Sequence, residues 1–222
     1  MSEPKSSGMC NLCGKTFGRA AMTRHLGTCS LLRGAAAGSV RETEPSFHLL
    51  VQPRYNKDYW LYLAVPVEAP LSLLDAFLRD IWLECCGHLS AFRINGTHYV
   101  SEGARELGDR GMGARMRRLL QPGILFTYEY DFGSTTELHL KVLAVREQTA
   151  TGGAIELLAR NDEPEVTCQR CGGRPATQIC SECDCRGEGW MCQVCAEEHE
   201  CGTEMCLPVV NSPRAGVCGY CG

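Results

Sequence analysis

Apolar and polar residues alternate along two neighbouring stretches near the middle of the chain, within residues 123–145. Aromatic side chains occupy every second position from Phe126 to Tyr130, and aliphatic side chains occupy every second position from Leu138 to Val142. A period of two is typical of a half-buried strand. The residues between the two stretches include Gly133, so the pattern predicts an antiparallel hairpin with its turn at residues 132–135.

Similar patterns predict the elements around this hairpin. Apolar residues at 47–52 and 59–67 indicate a strand pair, and a helical spacing of apolar residues from Leu71 to Cys85 predicts a long amphipathic helix ended by Gly87. The dipeptide Asn95-Gly96 favours a type I′ turn between two short strands, and residues 154–160 predict a last strand. The predicted fold class is α+β, a mainly antiparallel sheet with one long amphipathic helix, flanked by two small zinc-stabilised modules.

Cysteine is the unusual feature of the composition, with 16 among 222 residues. The first ten residues lack the apolar run of a signal peptide, so we expect a cytoplasmic, reducing compartment, in which paired cysteines are more often metal ligands than disulfides. No stretch approaches the roughly 20 apolar residues of a membrane helix. The net charge of −4 argues against a protein that coats nucleic acid with its whole surface.

The first cysteine motif is Cys10-x2-Cys13 followed, after eleven residues, by His25-x3-Cys29. Two ligands on a turn and two on a helix supply the tetrahedral set that zinc prefers. The motif resembles a classical-type CCHC zinc finger, with a spacer one residue shorter than the usual twelve or so. We therefore expect one zinc ion here.

That resemblance implies base or phosphate contacts from Arg19, Thr23 and Arg24 on the finger helix. A finger of this kind also serves as a protein-contact module, so both functions remain open. A second basic stretch contains Arg115, Arg117 and Arg118. It is either a solvated loop or a second phosphate-contacting patch that assists the finger.

The tail contains four CxxC pairs and four further potential ligands within 54 residues. Too few apolar residues lie between them for a core, so metal must supply the stability, and two to three zinc ions are expected. The candidate ligands are Cys168, Cys171, Cys180, Cys183, Cys185, Cys192, Cys195, His199, Cys201, Cys206, Cys218 and Cys221.

The grouping of these ligands leaves alternatives. The first and third pairs, at 168–171 and 192–195, share one metal in an interleaved scheme, and the pair at 180–183 shares another with His199 and either Cys201 or Cys206. Cys185 then joins the last CxxC pair, Cys218 and Cys221, in a third site, or Cys185 and one other cysteine are free. The interleaving resembles B-box and MYND modules. Because the tail is acidic, protein contact is expected rather than phosphate binding.

The middle of the chain carries a further resemblance. His88-Leu89 followed by Phe92, and later the string YEYDFG at 128–133, are similar to the two signature stretches of the plasmid pRi open-reading-frame-three-like family. That family is associated with plasmids and transposons, is often labelled "TnpR resolvase", and implies an α+β fold. After Gly133 its common pattern has an aspartate, a tryptophan and a histidine, which this sequence lacks.

These observations predict four segments: a CCHC finger at 1–33, a linker at 34–45, the α+β domain at 46–161 and a multi-zinc module at 162–222. The predicted function is a zinc-binding adaptor or regulator. We expect nucleic acid to be contacted by the N-terminal finger and the basic loop, and protein to be contacted by the acidic zinc-binding tail. The alternative is an enzyme or accessory factor of mobile-element DNA recombination. We interpret Cys85, Cys86 and His88 as a helix end with buried free cysteine, so we expect no catalytic residue.

Overall fold

The structure is a computed structural model that describes residues 6–36, 43–103, 106–149, 151–184 and 186–222. The chain divides into two compact units. Unit 1 comprises Met1–Leu78 and Leu89–Asp162, and unit 2 comprises Arg79–His88 and Glu163–Gly222. Each unit contains its own cluster of buried residues.

Unit 1 is built on a ten-stranded sheet with the order β2-β1-β10-β4-β3-β9-β8-β5-β6-β7. Neighbouring strands are antiparallel except β6 and β7, which are parallel. The strands are β1 (Ser7–Cys10), β2 (Thr16–Gly18), β3 (Thr43–Pro53), β4 (Leu61–Pro66), β5 (Ser90–Ile94), β6 (Thr97–Val100), β7 (Arg110–Gly111), β8 (Leu125–Tyr130), β9 (Thr136–Thr149) and β10 (Glu156–Asn161).

The predicted central hairpin is confirmed by the antiparallel pairing of β8 with β9. Its alternating aromatic and aliphatic side chains are buried, and Tyr128 and Leu140 are fully inaccessible. The predicted turn between β5 and β6 is confirmed as well, since Asn95 and Gly96 both have positive φ, at 49° and 78°. Both residues tolerate the left-handed region, which is why this dipeptide suits a two-residue hairpin turn.

The helices of unit 1 are α1 (Arg19–Ala36) and α2 (Leu71–Leu78), with a 3-10 turn at Met116–Arg118. Met22 and Leu26 of α1 are buried in one cluster with Trp60 and Tyr62. The N-terminal segment is thus part of the unit: β1 pairs with β10, and α1 packs over apolar side chains beside β4.

The predicted fold class is wrong. The sheet has ten strands and is mixed, it includes β1 and β2 of the N-terminal segment, and no long amphipathic helix lies in the described part of the middle of the chain. α2 has only eight residues, after which a π-helical turn spans Arg79–Leu83 and the Glu84 N–H donates to the Arg79 carbonyl at 2.8 Å. The spacing of apolar residues does not show where the backbone hydrogen bonds change from i+4 partners to i+5 partners.

The predicted linker, 34–45, overlaps the end of α1 and the start of β3, and residues 37–42 lie outside the described residues. Within the described ranges, no helix has the length and apolar character needed to cross a membrane.

Unit 2 contains a three-stranded sheet of β11 (Gln178–Cys180), β12 (Trp190–Met191) and β13 (Cys206–Pro208), in the order β12-β11-β13. Two short helices, α3 (Ser181–Asp184) and α4 (Gln193–Glu197), and a 3-10 turn at Thr203–Met205 connect the strands. Its buried cluster consists of four cysteines with Met191 and Ala196. Other side chains of the unit, among them Trp82, Leu83, Ile179 and Tyr220, are buried outside this cluster. The thiol cluster is itself small, which favours stabilisation of its surroundings by metal.

Candidate metal centres

Among the residues that the structure describes, four groups of Cys and His side chains could hold metal ions, and within each group all four ligand atoms lie within 4.8 Å of one another. We name them the N-terminal tetrad (Cys10, Cys13, His25, Cys29), the first tail tetrad (Cys168, Cys171, Cys192, Cys195), the second tail tetrad (Cys180, Cys183, His199, Cys201) and the vicinal tetrad (Cys85, Cys86, His88, Cys218). The N-terminal tetrad and the two tail tetrads consist entirely of residues that the sequence predicts as metal ligands.

The N-terminal tetrad takes two ligands from a turn and two from α1. β1 ends at Cys10, and the turn is closed by the Gly14 N–H donating to the Cys10 carbonyl at 2.8 Å. Gly14 has a φ of 73°, a conformation that glycine adopts at no steric cost. The Cys13 Sγ lies 3.2 Å from the His25 Nε2, and the Cys10 and Cys29 sulfurs are 4.0 Å apart.

Aromatic packing fixes the histidine of this tetrad. The Phe17 ring stacks on the His25 ring, with 4.2 Å between centroids and 25° between planes. Burial, followed by the charge of Lys15, lowers the pKa of His25. The imidazole is therefore held neutral, which is the form that ligates metal.

The first tail tetrad is formed by two knuckles. The Gly172 N–H donates to the Cys168 carbonyl at 2.9 Å, and the Ala196 N–H donates to the Cys192 carbonyl at 3.0 Å. Cys192 precedes α4, so its partner at Cys195 lies on the first turn of that helix. The Cys171 and Cys192 sulfurs are 4.0 Å apart.

The second tail tetrad combines the end of β11, α3 and the loop after α4. Cys183 Sγ lies 3.4 Å from His199 Nε2 and 3.8 Å from Cys201 Sγ. Of the two alternatives for its fourth ligand, Cys201 is the one that joins the group. Gly202, which follows it, has a φ of 84°, so here too a ligand cysteine is followed by a glycine in the left-handed region.

Within these groups the pKa of some thiols is lowered and the pKa of others is raised. Burial acts to raise the pKa of Cys168, but N–H groups of Cys171, Cys192 and Arg170 hold it down to about 6. Burial, with the neighbouring thiols, raises the pKa of Cys195 to about 12. In the N-terminal tetrad the Lys15 N–H lowers the pKa of Cys13, whereas burial and Cys13 raise that of Cys29 to about 12. Four crowded sulfurs cannot all ionise without a cation between them.

The distances between the sulfur atoms can be compared with those expected around a zinc ion and in a disulfide. A zinc ion with Zn–S bonds of about 2.3 Å places two sulfurs of a tetrahedron roughly 3.8 Å apart. Five sulfur pairs of the four groups lie 3.8–4.0 Å apart, and all ligand atoms of a group lie within 4.8 Å of one another. A disulfide would require about 2.05 Å. Soft thiolate and imidazole donors in this arrangement suit zinc.

The vicinal tetrad was missed by the sequence reasoning. It unites adjacent cysteines and a histidine after the π-helical turn with Cys218, 132 residues beyond Cys86. The sequence interpretation places Cys85 and Cys86 at the end of a helix as free thiols. The short spacing Cys-Cys-x-His is the available signal, but the sequence groups Cys218 with Cys185 and Cys221.

Three predicted tail ligands stand apart from the tetrads or cannot be placed. Cys206 and Cys221 lie outside the four groups, and their thiols contact the carbonyls of Gly202 and Gly219. Cys185 lies outside the described residues.

The predicted nucleic-acid residues are largely engaged with unit 1 itself. Arg19 Nη1 donates to Gln52 Oε1 at 2.7 Å, and Thr23 Oγ1 lies 2.5 Å from Tyr62 Oη. Arg115 donates to the Glu68 carbonyl at 2.8 Å, and Arg117 pairs with the Glu68 carboxylate at 3.1 Å. Arg115 and Arg117 are nevertheless exposed, as are Arg24 and Arg118.

Comparison with known proteins adds little to this picture. No family model and no curated protein matches the chain. The chain is similar to the crystal structure of a protein of unknown function from Methanosarcina mazei Go1, with 16% sequence identity and a TM-score of 0.44 over 53% of this chain and 69% of that one. A likeness at this level supports no argument about fold or function.

Proposed function

We propose that the protein is a zinc-dependent adaptor, in which structural zinc ions in the N-terminal tetrad and the two tail tetrads stabilise the two units and unit 2 contacts a protein partner. The observation that carries this proposal is that the four soft donors of each of these groups lie within 4.8 Å of one another, with one sulfur pair in each group at 3.8–4.0 Å, about the edge of a zinc tetrahedron. Four protein ligands leave no coordination position for water, so these ions are structural and not hydrolytic.

The surface of unit 2 favours a protein partner with a basic face. Eight carboxylates of residues 163–222 are exposed, against three exposed guanidinium groups. The exposed carboxylates are Glu163, Glu165, Glu182, Glu188, Glu197, Glu198, Glu200 and Glu204. Such a field repels phosphate backbones and attracts Lys- and Arg-rich surfaces.

Metal analysis of protein purified without added zinc tests the structural part of the proposal. We expect at least three zinc ions per chain, and we expect a strong chelator to make unit 2 susceptible to proteolysis, because its buried cluster is largely thiols. One zinc ion or none, in protein that is folded, contradicts the proposal.

Peptide binding tests the adaptor part. The zinc-loaded protein should bind Lys- and Arg-rich peptides more tightly than Gln-substituted peptides of the same length, with affinity that falls as salt rises. The double variant Glu197→Lys/Glu198→Lys should weaken this binding by about tenfold, since both carboxylates are exposed on or beside α4. Equal affinity for both peptide classes contradicts a basic partner.

A further inference from the structure

We propose that the vicinal tetrad is a fourth zinc site, which fastens the C-terminal segment of unit 2 to residues 79–88. The proposal rests on the zinc-dependent function above for the identity of the metal. His88 Nε2 lies 3.0 Å from Cys86 Sγ and 3.2 Å from Cys218 Sγ. The sulfur pairs Cys85–Cys86 and Cys86–Cys218 are 3.8 and 3.9 Å apart, close to the edge of a zinc tetrahedron.

The loop that carries three of these ligands is held in shape without metal. Arg79 donates to the Glu84 carboxylate at 2.8 Å and to the His88 carbonyl at 2.7 Å. The same carboxylate accepts from the Gly87 N–H at 2.5 Å. Gly87 has a φ of 79°, which turns the chain back so that the imidazole of His88 returns to the sulfur of Cys86.

The fourth ligand arrives on a knuckle like those of the other tetrads. Cys218 has a φ of 51° and the following Gly219 has a φ of 70°. In the N-terminal tetrad and both tail tetrads a ligand cysteine is likewise followed by a positive-φ glycine, namely Gly14, Gly172 and Gly202. Cys221 is also followed by a positive-φ glycine, Gly222 at 96°, so the backbone does not choose between the two cysteines of this pair. The position of Cys218 Sγ, 3.9 Å from Cys86 Sγ and 3.2 Å from His88 Nε2, does.

Contacts beside the tetrad join the same two segments. Ser212 Oγ donates to the Trp82 carbonyl at 2.6 Å, and both residues are buried. Arg214 is fully buried, and its Nη2 donates to Cys85 Sγ at 3.5 Å. A hydrogen bond from a cationic donor favours the thiolate, and three thiolates around Zn²⁺ carry a net negative charge that a neighbouring guanidinium offsets.

The chemistry follows from the ligand set. Three thiolates and one imidazole saturate a tetrahedral ion, so the site is structural and Cys86 is not a nucleophile. Residues 209–222 form no helix or strand in the described chain. The metal adds to the contacts at Ser212 and Arg214, and to the Val209 N–H that donates to the Thr177 carbonyl at 3.0 Å, in ordering this segment.

Zinc stoichiometry by native mass spectrometry provides the test, with Cys221→Ser as a matched control for Cys218→Ser. Both cysteines are exposed and belong to one CxxC pair, but only Cys218 is in the tetrad. We expect four zinc ions in the wild type and in Cys221→Ser, and three in Cys218→Ser. Three ions in the wild type, four in Cys218→Ser, or three in Cys221→Ser each overturn the proposal. A different result, one zinc ion or none in the folded wild type, would contradict the proposed function itself.

Thiol alkylation of the wild type gives a second measurement that does not depend on a variant folding. Cys86, Cys218 and Cys221 are all exposed, so exposure alone predicts similar reactivity. With zinc bound, we expect Cys86 and Cys218 to react at least about tenfold more slowly than Cys221, and a chelator to remove the difference. Equal rates in the zinc-loaded protein contradict the site.

Discussion

The Tyr62 hydroxyl lies 2.5 Å from Thr23 Oγ1 and donates a hydrogen bond to the Arg19 carbonyl at 2.8 Å. Tyr62 belongs to β4, and the other two residues belong to the first turns of α1. One hydroxyl thus anchors the helix that supplies His25 and Cys29 to the central sheet of unit 1. Zinc in the N-terminal tetrad would act on a helix that the sheet already holds.

Removing that hydroxyl tests the anchor. Tyr62→Phe should lower the free energy of unfolding of unit 1 by about 1 kcal/mol, because the half-buried Arg19 carbonyl and Thr23 hydroxyl lose a hydrogen-bond partner, while the number of bound zinc ions stays unchanged. Denaturant unfolding in excess zinc measures the change. Tyr55→Phe is the control, since Tyr55 is 82% exposed and should shift stability by less than about 0.5 kcal/mol. Equal effects of the two variants would count against the anchor.

Ligand substitution in the second tail tetrad decides which cysteine completes it. Cys201→Ser should release one zinc ion per chain, whereas Cys206→Ser should release none, because Cys201 Sγ is 3.8 Å from Cys183 Sγ and Cys206 is outside the group. Metal analysis of the two folded variants gives the answer. The opposite result would show that β13 supplies the ligand.

Local spacing explains how much of this could be predicted. CxxC pairs, the Asn95-Gly96 turn and the alternation before Tyr130 each encode structure within about a dozen residues, so the single CxxC pairs, the turn and the hairpin could be predicted. The same spacings left the grouping of the tail ligands open. The pairing of Cys86 with Cys218 spans 132 residues, and no spacing rule encodes it. The attachment of the N-terminal segment was equally hidden, because β1 has only four residues and Gly8 interrupts its apolar pattern.

Acid should destabilise unit 1 through His48. Burial, followed by the charge of Arg146, lowers the pKa of His48 from 6.5 to about 4. The Nε2 is buried and has no hydrogen-bond partner among the described residues. As the pH is lowered from 6.5 to 4, the unfolded chain takes up a proton that the folded chain does not. The free energy of unfolding therefore decreases as the pH decreases.

The His48→Gln variant isolates this effect from acid release of metal. From pH 6.5 to 5.5 in excess zinc, the wild type should lose about 1 kcal/mol more of its unfolding free energy than the variant. Denaturant titrations at both pH values measure the difference. Parallel losses in the two proteins would mean that His48 titrates normally in the folded state.

Nucleic-acid binding should be weak. Arg19 and Thr23 contact Gln52 and Tyr62, so side chains that a DNA-reading finger would use are committed within unit 1. We expect fluorescence anisotropy to give dissociation constants weaker than about 10 μM for duplex DNA and single-stranded RNA at 150 mM salt. Tighter binding that Arg24→Ala/Arg118→Ala abolishes would restore nucleic acid as a partner of the exposed arginines.

The interleaved order of the tail ligands has a consequence for how the protein is made. The first tail tetrad is complete once Cys195 has been made, and the second is complete once Cys201 has been made. Residues 85–88 leave the ribosome long before Cys218, which lies 130 residues beyond His88. The vicinal tetrad can therefore close only once Cys218 has been made, later than either tail tetrad, and until then Cys85 and Cys86 depend on the reducing power of their surroundings.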